Sequence, residues 1–121
     1  MWVSIDFLVD FVDALYFAFQ DVSYNWHLYT TTDGNVFTER NTGVWKEIQF
    51  LGESGGTLFF SFRDASNDEH LYTTTGGITY TERNTGTWKE IFYLGEGAGT
   101  LFFHFQDTSY NSHLYITPDG T

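Results

Sequence analysis

Cysteine is absent from the 121 residues and proline occurs once. The lack of cysteine excludes disulfides, thiolate metal sites and a cysteine nucleophile. Basic residues are scarce: five Lys and Arg stand against 16 Asp and Glu, a formal charge of −11. A surface of that sign repels phosphate backbones, so no nucleic-acid partner is expected. The acids are spread along the chain rather than gathered in runs, which argues against mimicry of nucleic acid. No apolar run is long enough to span a bilayer. The stretch from Met1 to Ala14 holds Asp6, Asp10 and Asp13 but no Lys or Arg, the wrong charge for a signal peptide. The expectation is a soluble chain without membrane insertion, with its compartment left open.

Aromatic residues are plentiful, at 21% of the chain, with 13 Phe, 8 Tyr and 4 Trp beside 12 Gly. That is a strand-rich, turn-rich composition, in a length that suits one domain. Its organisation is a tandem repeat. Leu15 to Thr57 aligns with Leu58 to Thr100 without a gap, and 27 of 43 positions are identical. A third copy begins at Leu101 and runs to Thr121 as LFFHFQDTSYNSHLYITPDGT. The N-terminus joins the same pattern, because WVSIDFLVD (residues 2–9 as a strand) lies one period before WKEIQFLGE. The chain therefore reads as one repeat domain over 1–121, made of a lone strand at 2–9, repeats at 15–57 and 58–100, and a partial repeat at 101–121.

Each repeat reads as four short antiparallel strands. In LFFSF, Leu58, Phe60 and Phe62 alternate with Phe59 and Ser61, and the first set is kept as Leu15, Phe17, Phe19 and as Leu101, Phe103, Phe105. Alternation with one constant aromatic face predicts a strand whose constant side is core, leaving Arg63 exposed. HLYTTT is the second strand. A tight turn at Asp33-Gly34 or Gly76-Gly77 is expected to lead into VFTER or TYTER, the third. Asn-Thr-Gly is expected to close another turn into the fourth, WKEI and its continuation. No segment predicts a helix. FLVDFVDALYFAF has apolar residues at helical spacing, but the alignment assigns it to two strands. The lone strand at the N-terminus and the last strand, His113 to Thr117, are expected to lack partners and to leave open edges.

The stretch HLYTTTDGNVFTERNTGVW resembles the blade signature of fucose-binding β-propeller lectins, and the rhythm LFF, HLYTTT, WKEI, LGEG resembles tachylectin-type blades. The resemblance covers every repeat, and it implies propeller blades and carbohydrate binding. The Arg that opens the lectin strand is His27, His70 and His113 here, a departure that bears on fucose itself. A β-trefoil of three lobes is the alternative architecture. Three blades are few for a closed ring, so the resemblance implies a homo-oligomer, with a dimer supplying about six blades.

Candidate site residues follow from the repeat. Trp45 and Trp88, with Trp2 at the same position, are natural platforms for a sugar face; equally, each could cap a core. The lectin resemblance implies that Glu39 and Glu82 accept hydrogen bonds from sugar hydroxyls. Arg40 and Arg83 beside them point to the opposite face. A cross-strand ion pair is the plainer role for these charges. His27, His70 and His113 recur once per copy, six residues after Asp21, Asp64 and Asp107. Convergence of the three on a metal is weighed and not adopted, since an Asp in a turn usually bonds its own backbone. No nucleophile elbow and no carboxylate pair at a spacing suited to acid–base work is present. The expectation is a binding protein, not an enzyme, with no cofactor and no metal. Its partners would be glycans and its own copies, because repeated weak sites combine through effective concentration. The alternative is a self-assembling repeat module, natural or designed, with no small ligand.

Overall fold

A computed structural model describes residues 1–118. Its regular structure is all β: β1 (Ser4–Phe11), β2 (Ala14–Gln20), β3 (Trp26–Thr31), β4 (Thr38–Trp45), β5 (Glu47–Ser54), β6 (Thr57–Arg63), β7 (Glu69–Thr74), β8 (Thr81–Gly97), β9 (Thr100–Asp107) and β10 (Ser112–Thr117). No helix among the described residues is long and apolar enough to cross a membrane. The helix-like stretch after Asp6 is β1, a turn with Val12 and Asp13 at positive φ, and β2.

The strands form two antiparallel sheets, in the orders β1-β2-β3-β4 and β10-β9-β8-β7-β6-β5. The 17-residue β8 pairs with β7 through its first half and with β9 through its second. The six-stranded sheet therefore turns at β8, and its two halves pack against each other. Two cores result. Tyr16 and Leu28 of the first sheet meet Ile48, Leu58, Phe60 and Phe62, while Phe59 and Leu71 meet Ile91, Leu101, Phe103 and Phe105.

Four expectations are corrected. The N-terminal strand has a partner, since β1 pairs with β2 from Ser4↔Gln20 to Phe11↔Ala14. Likewise β10 pairs with β9 along its length. Asn-Thr-Gly closes no hairpin: Asn41 and Asn84 adopt φ of 48° and 49°, and the chain runs on as strand through a wide bulge. Asn-Thr-Gly-Val (41–44) thus bulges opposite His27 between the pairs Leu28↔Arg40 and Trp26↔Trp45. The turns at Gly34 and Gly77 lie in longer loops, so the third strands start only at Thr38 and Thr81. Finally, β6 has two core faces. Phe59 and Ser61 are buried as fully as Phe60 and Phe62, and Arg63 is half-buried. Alternation failed as a guide because layers pack on both sides of this strand.

Candidate functional site

The repeated positions converge on one arrangement, a histidine held between carboxylates beside an indole. It begins in the turn after the first strand of each copy. Asp21 Oδ1 accepts the N–H groups of Ser23 (2.9 Å) and Asn25 (3.1 Å). Tyr24 takes a positive φ of 65° to close that turn. Asp64 and Asp107 do the same, with Asn67 and Tyr110 at positive φ. This local bonding fixes the carboxylate and aims Oδ2 at the neighbouring strand. There it lies 2.8 Å from Nε2 of His27, His70 and His113 respectively.

The other ring nitrogen meets the third strand. His27 Nδ1 lies 2.7 Å from Glu39 Oε2, and His70 Nδ1 lies 2.7 Å from Glu82 Oε2. A carboxylate only accepts, so two such partners call for N–H on both ring nitrogens, the imidazolium form. Partial burial works against that charge in His27 and His70. The hydrogen bonds and negative charge of Asp and Glu outweigh it and raise both pKa values. The acids respond in kind. The bond from histidine holds Asp21 and Asp107 below the usual carboxylate range. In Asp64 burial opposes the shift, but the bond from His70 and two backbone N–H groups still lower it.

Each indole stands 25 residues before its histidine in the chain. Trp2 packs edge-on to His27 at 5.8 Å, Trp45 to His70 at 6.3 Å and Trp88 to His113 at 5.8 Å. Tyr29, Tyr72 and Tyr115 complete these clusters at 5.8–5.9 Å from the same indoles. Trp45 Nε1 donates to the Asn41 carbonyl and Trp88 Nε1 to that of Asn84, each at 2.8 Å. Gly43 and Gly86 lie under these rings: a Cβ there would approach the indole to 3.1 and 3.2 Å. The bulge and the tryptophan thus fit each other. Little of the indole's polar edge is left for a ligand.

Taken copy by copy, the sugar site would pair Trp88 with Glu82, but the structure joins the candidates across copies. Trp45, not Trp88, shares a cluster with His70 and Glu82, and Trp88 shares one with His113. Arg40 and Arg83 face away from their Glu neighbours, and each Nε donates to a threonine, Thr30 or Thr73, at 3.0 Å. The third cluster is partial. Among the described residues His113 has Asp107 but no carboxylate at Nδ1.

Two features escaped sequence reasoning. One is the pair of Glu69 and Arg63, whose Nη2 lies 2.6 Å from Glu69 Oε2 while Oε1 accepts the Ile91 N–H at 2.8 Å. It occurs only in the second copy, so no repeat flagged it. The other is a cleft of about 150 Å³ bounded by Phe59, Leu71, Arg83, Phe103, Phe105 and Tyr115. Nothing in a linear pattern marks an empty space. Compared with known families, curated proteins and solved structures, the chain matches none.

Proposed function

We propose that this chain is a self-associating module whose copies stack head to tail through their outermost sheet faces. The observation that carries this reading is a pair of open apolar faces, each the counterpart of a face that is buried in the middle of the molecule. Phe60 and Phe62 are fully buried against the first sheet, but their equivalents Phe17 and Phe19 lie on a face with Ile5 and Phe7, which are 55% and 59% exposed. Phe59 is fully buried against β9, but its equivalent Phe102 lies on a face with Leu114 and Ile116, which are 65% and 63% exposed. One end thus carries half of an internal interface and the other end carries the other half. Exposed apolar surface of this extent marks an interaction site. A heterologous contact of this kind closes a ring or grows a filament. A ring of two chains with propeller-like blades is the arrangement we favour.

The test is the mass in solution. The wild type is expected to be oligomeric at micromolar concentration. Phe7→Asp and Leu114→Asp should each dissolve the assembly, and mixing the two variants should restore a single capped heterodimer. A wild-type monomer would overturn the reading.

A second reading, carbohydrate binding, is favoured by the cleft, where four aromatic rings stand beside Arg83 and Asn84. Rings with nearby hydrogen-bond donors suit a sugar. A glycan array probed with the intact protein tests it, and retention on no glycan would sink it.

A further inference from the structure

β1, β5 and residues 90–97 of β8 are the three copies of one strand, each 43 residues from the next. Among the described residues each pairs on one side only, with β2, β6 and β9 respectively. β5 lies between the other two, and together they bound an open groove of about 650 Å³ lined by residues 5–8, 48–50 and 92. The groove belongs to the repeat unit. Gln49 stands in the middle layer, which is packed on both faces, and its side chain is nevertheless exposed, as those of Asp6 and Phe92 are.

Asp6, Gln49 and Phe92 are one position in three copies. Around it the framework is constant: Ile5, Ile48 and Ile91 precede it, and Leu8, Leu51 and Leu94 follow. The same backbone thus presents an acid, an amide and an aromatic ring, in that order across the groove. Asp6 pairs with Ala18 and so points to the opposite side of β1 from Phe7 and Phe17. It is the one ionisable side chain in the lining, and no ion pair engages it among the described residues. The Ser61 hydroxyl lies 3.5 Å from Gln49 Oε1, which leaves the Nε2 hydrogens to donate elsewhere. Phe92 stacks on His104 at 5.7 Å and is 44% exposed, and Phe50 adds a half-buried ring.

We propose that this groove binds a small organic ammonium ion in which a hydroxyl or carbonyl oxygen separates the charge from an apolar ring. Asp6 takes the ammonium, Gln49 Nε2 donates to the oxygen, and Phe92 with Phe50, Ile48 and Leu8 covers the ring. Sign and size both favour this occupant. A lone carboxylate among apolar side chains, on a chain of charge −11, attracts cations and repels anions. Aromatic faces add to a cation's binding. An apolar groove of this size with a few placed polar groups suits a drug-sized ligand. Zwitterionic lipid headgroups are disfavoured, because the phosphate beside their ammonium would meet the same negative field.

The probe is phenylethanolamine, titrated into the intact chain and followed by NMR. Saturable one-to-one binding in the millimolar range or tighter is expected, with shifts at Asp6, Gln49 and Phe92. Phenyl ethylene glycol, which replaces the ammonium by a neutral hydroxyl, should bind about fivefold more weakly. Phenethylamine, which lacks the hydroxyl, should lose a smaller factor. Asp6→Gln should remove the preference for the amine over the glycol, and Phe92→Gln should weaken both about threefold. Each substitution installs the residue that β5 carries at that position, so the fold already accommodates it. Asp10→Asn, on the same strand but outside the lining, should leave binding unchanged. Absence of saturation up to about 10 mM would overturn the proposal. So would equal affinity for the glycol, an Asp10→Asn loss as large as that of Asp6→Gln, or sedimentation of the chain with phosphatidylcholine vesicles.

Discussion

The middle strand β6 and its counterparts β2 and β9 have nearly the same sequence and opposite surroundings. Leu58, Phe59, Phe60 and Phe62 are all fully buried, because a layer packs on each side. In β2 only the Tyr16 side is covered, and in β9 only the Leu101, Phe103 and Phe105 side. The difference teaches that burial here is set by place in the stack and not by the residue. Phe60→Ala should cost about 3–5 kcal/mol in a denaturant titration, the range for removing a buried Phe. Phe17→Ala, at the equivalent position, should cost less than half of that while the chain is monomeric. Equal losses for the two would mean that the Phe17 face is covered in solution, which sharpens the assembly reading.

A second contrast separates the copies at one position. Trp26, Glu69 and Ser112 are equivalents, as are Gln20, Arg63 and Gln106. Only the middle copy buries an ion pair there. Burial raises the Glu69 pKa, against the Ile91 N–H and the Arg63 charge, which favour the anion. Taking a charge out of water is costly, and removing one member leaves the other uncompensated. Glu69→Ala is expected to lose about 3 kcal/mol. Arg63→Gln with Glu69→Ser, which installs the third copy's residues, should lose less than Glu69→Ala alone. A double variant worse than the single would show that the pair itself stabilises the fold.

Much of this was legible in the sequence, for physical reasons that can be traced. The all-β class followed from period-two alternation, and the helix-like spacing around Phe11 was overruled by the alignment. The Asp turn was readable because Asp and Ser recur two residues apart in all three copies, whereas its positive-φ position was not, since Tyr24 and Tyr110 stand there beside Asn67. The Asp-His-Glu link was in reach as well. Its members stand six and 12 residues apart in both full copies, and a strand pair joined by a loop brings such positions face to face. The bulge at Asn41 and Asn84 was not legible, since Asn-Thr-Gly suits a turn equally well. What tips the balance is the indole that caps the Asn carbonyl, a contact between residues four apart. Two-sided burial of β6 was hidden too, because the variable positions Phe59 and Ser61 look like a solvent face until a third layer is known.

The complete clusters predict a pH window. His27 and His70 have pKa values raised above 6.5. Their stabilisation is fully present below that ordinary value and is lost as pH rises through the raised one. Asp21, Asp64 and Asp107 are lowered from 3.8, so theirs is present above 3.8 and is lost as pH falls through the lowered values. Stability should therefore peak between these limits and decline toward alkaline pH. Urea midpoints at about pH 5 and about pH 9 test this. His27→Gln with His70→Gln should flatten the alkaline decline, and an unchanged slope would place its origin elsewhere.

The smallest expected effect compares the complete and partial clusters directly. His70 joins Asp64 and Glu82 and so ties the turn, the second strand and the third strand together. His113 joins only Asp107, six residues away, and its side chain is twice as exposed, 42% against 21%. A hydrogen bond within one hairpin adds little once the hairpin is paired, and solvent screens it further. His70→Gln should lose about 1 kcal/mol, and His113→Gln a fraction of that, within the spread of ordinary surface substitutions. Were the two losses equal, the glutamate link would contribute nothing, and the Asp turn would be the element that histidine stabilises. Were His113→Gln the costlier, a carboxylate must reach Nδ1 in solution.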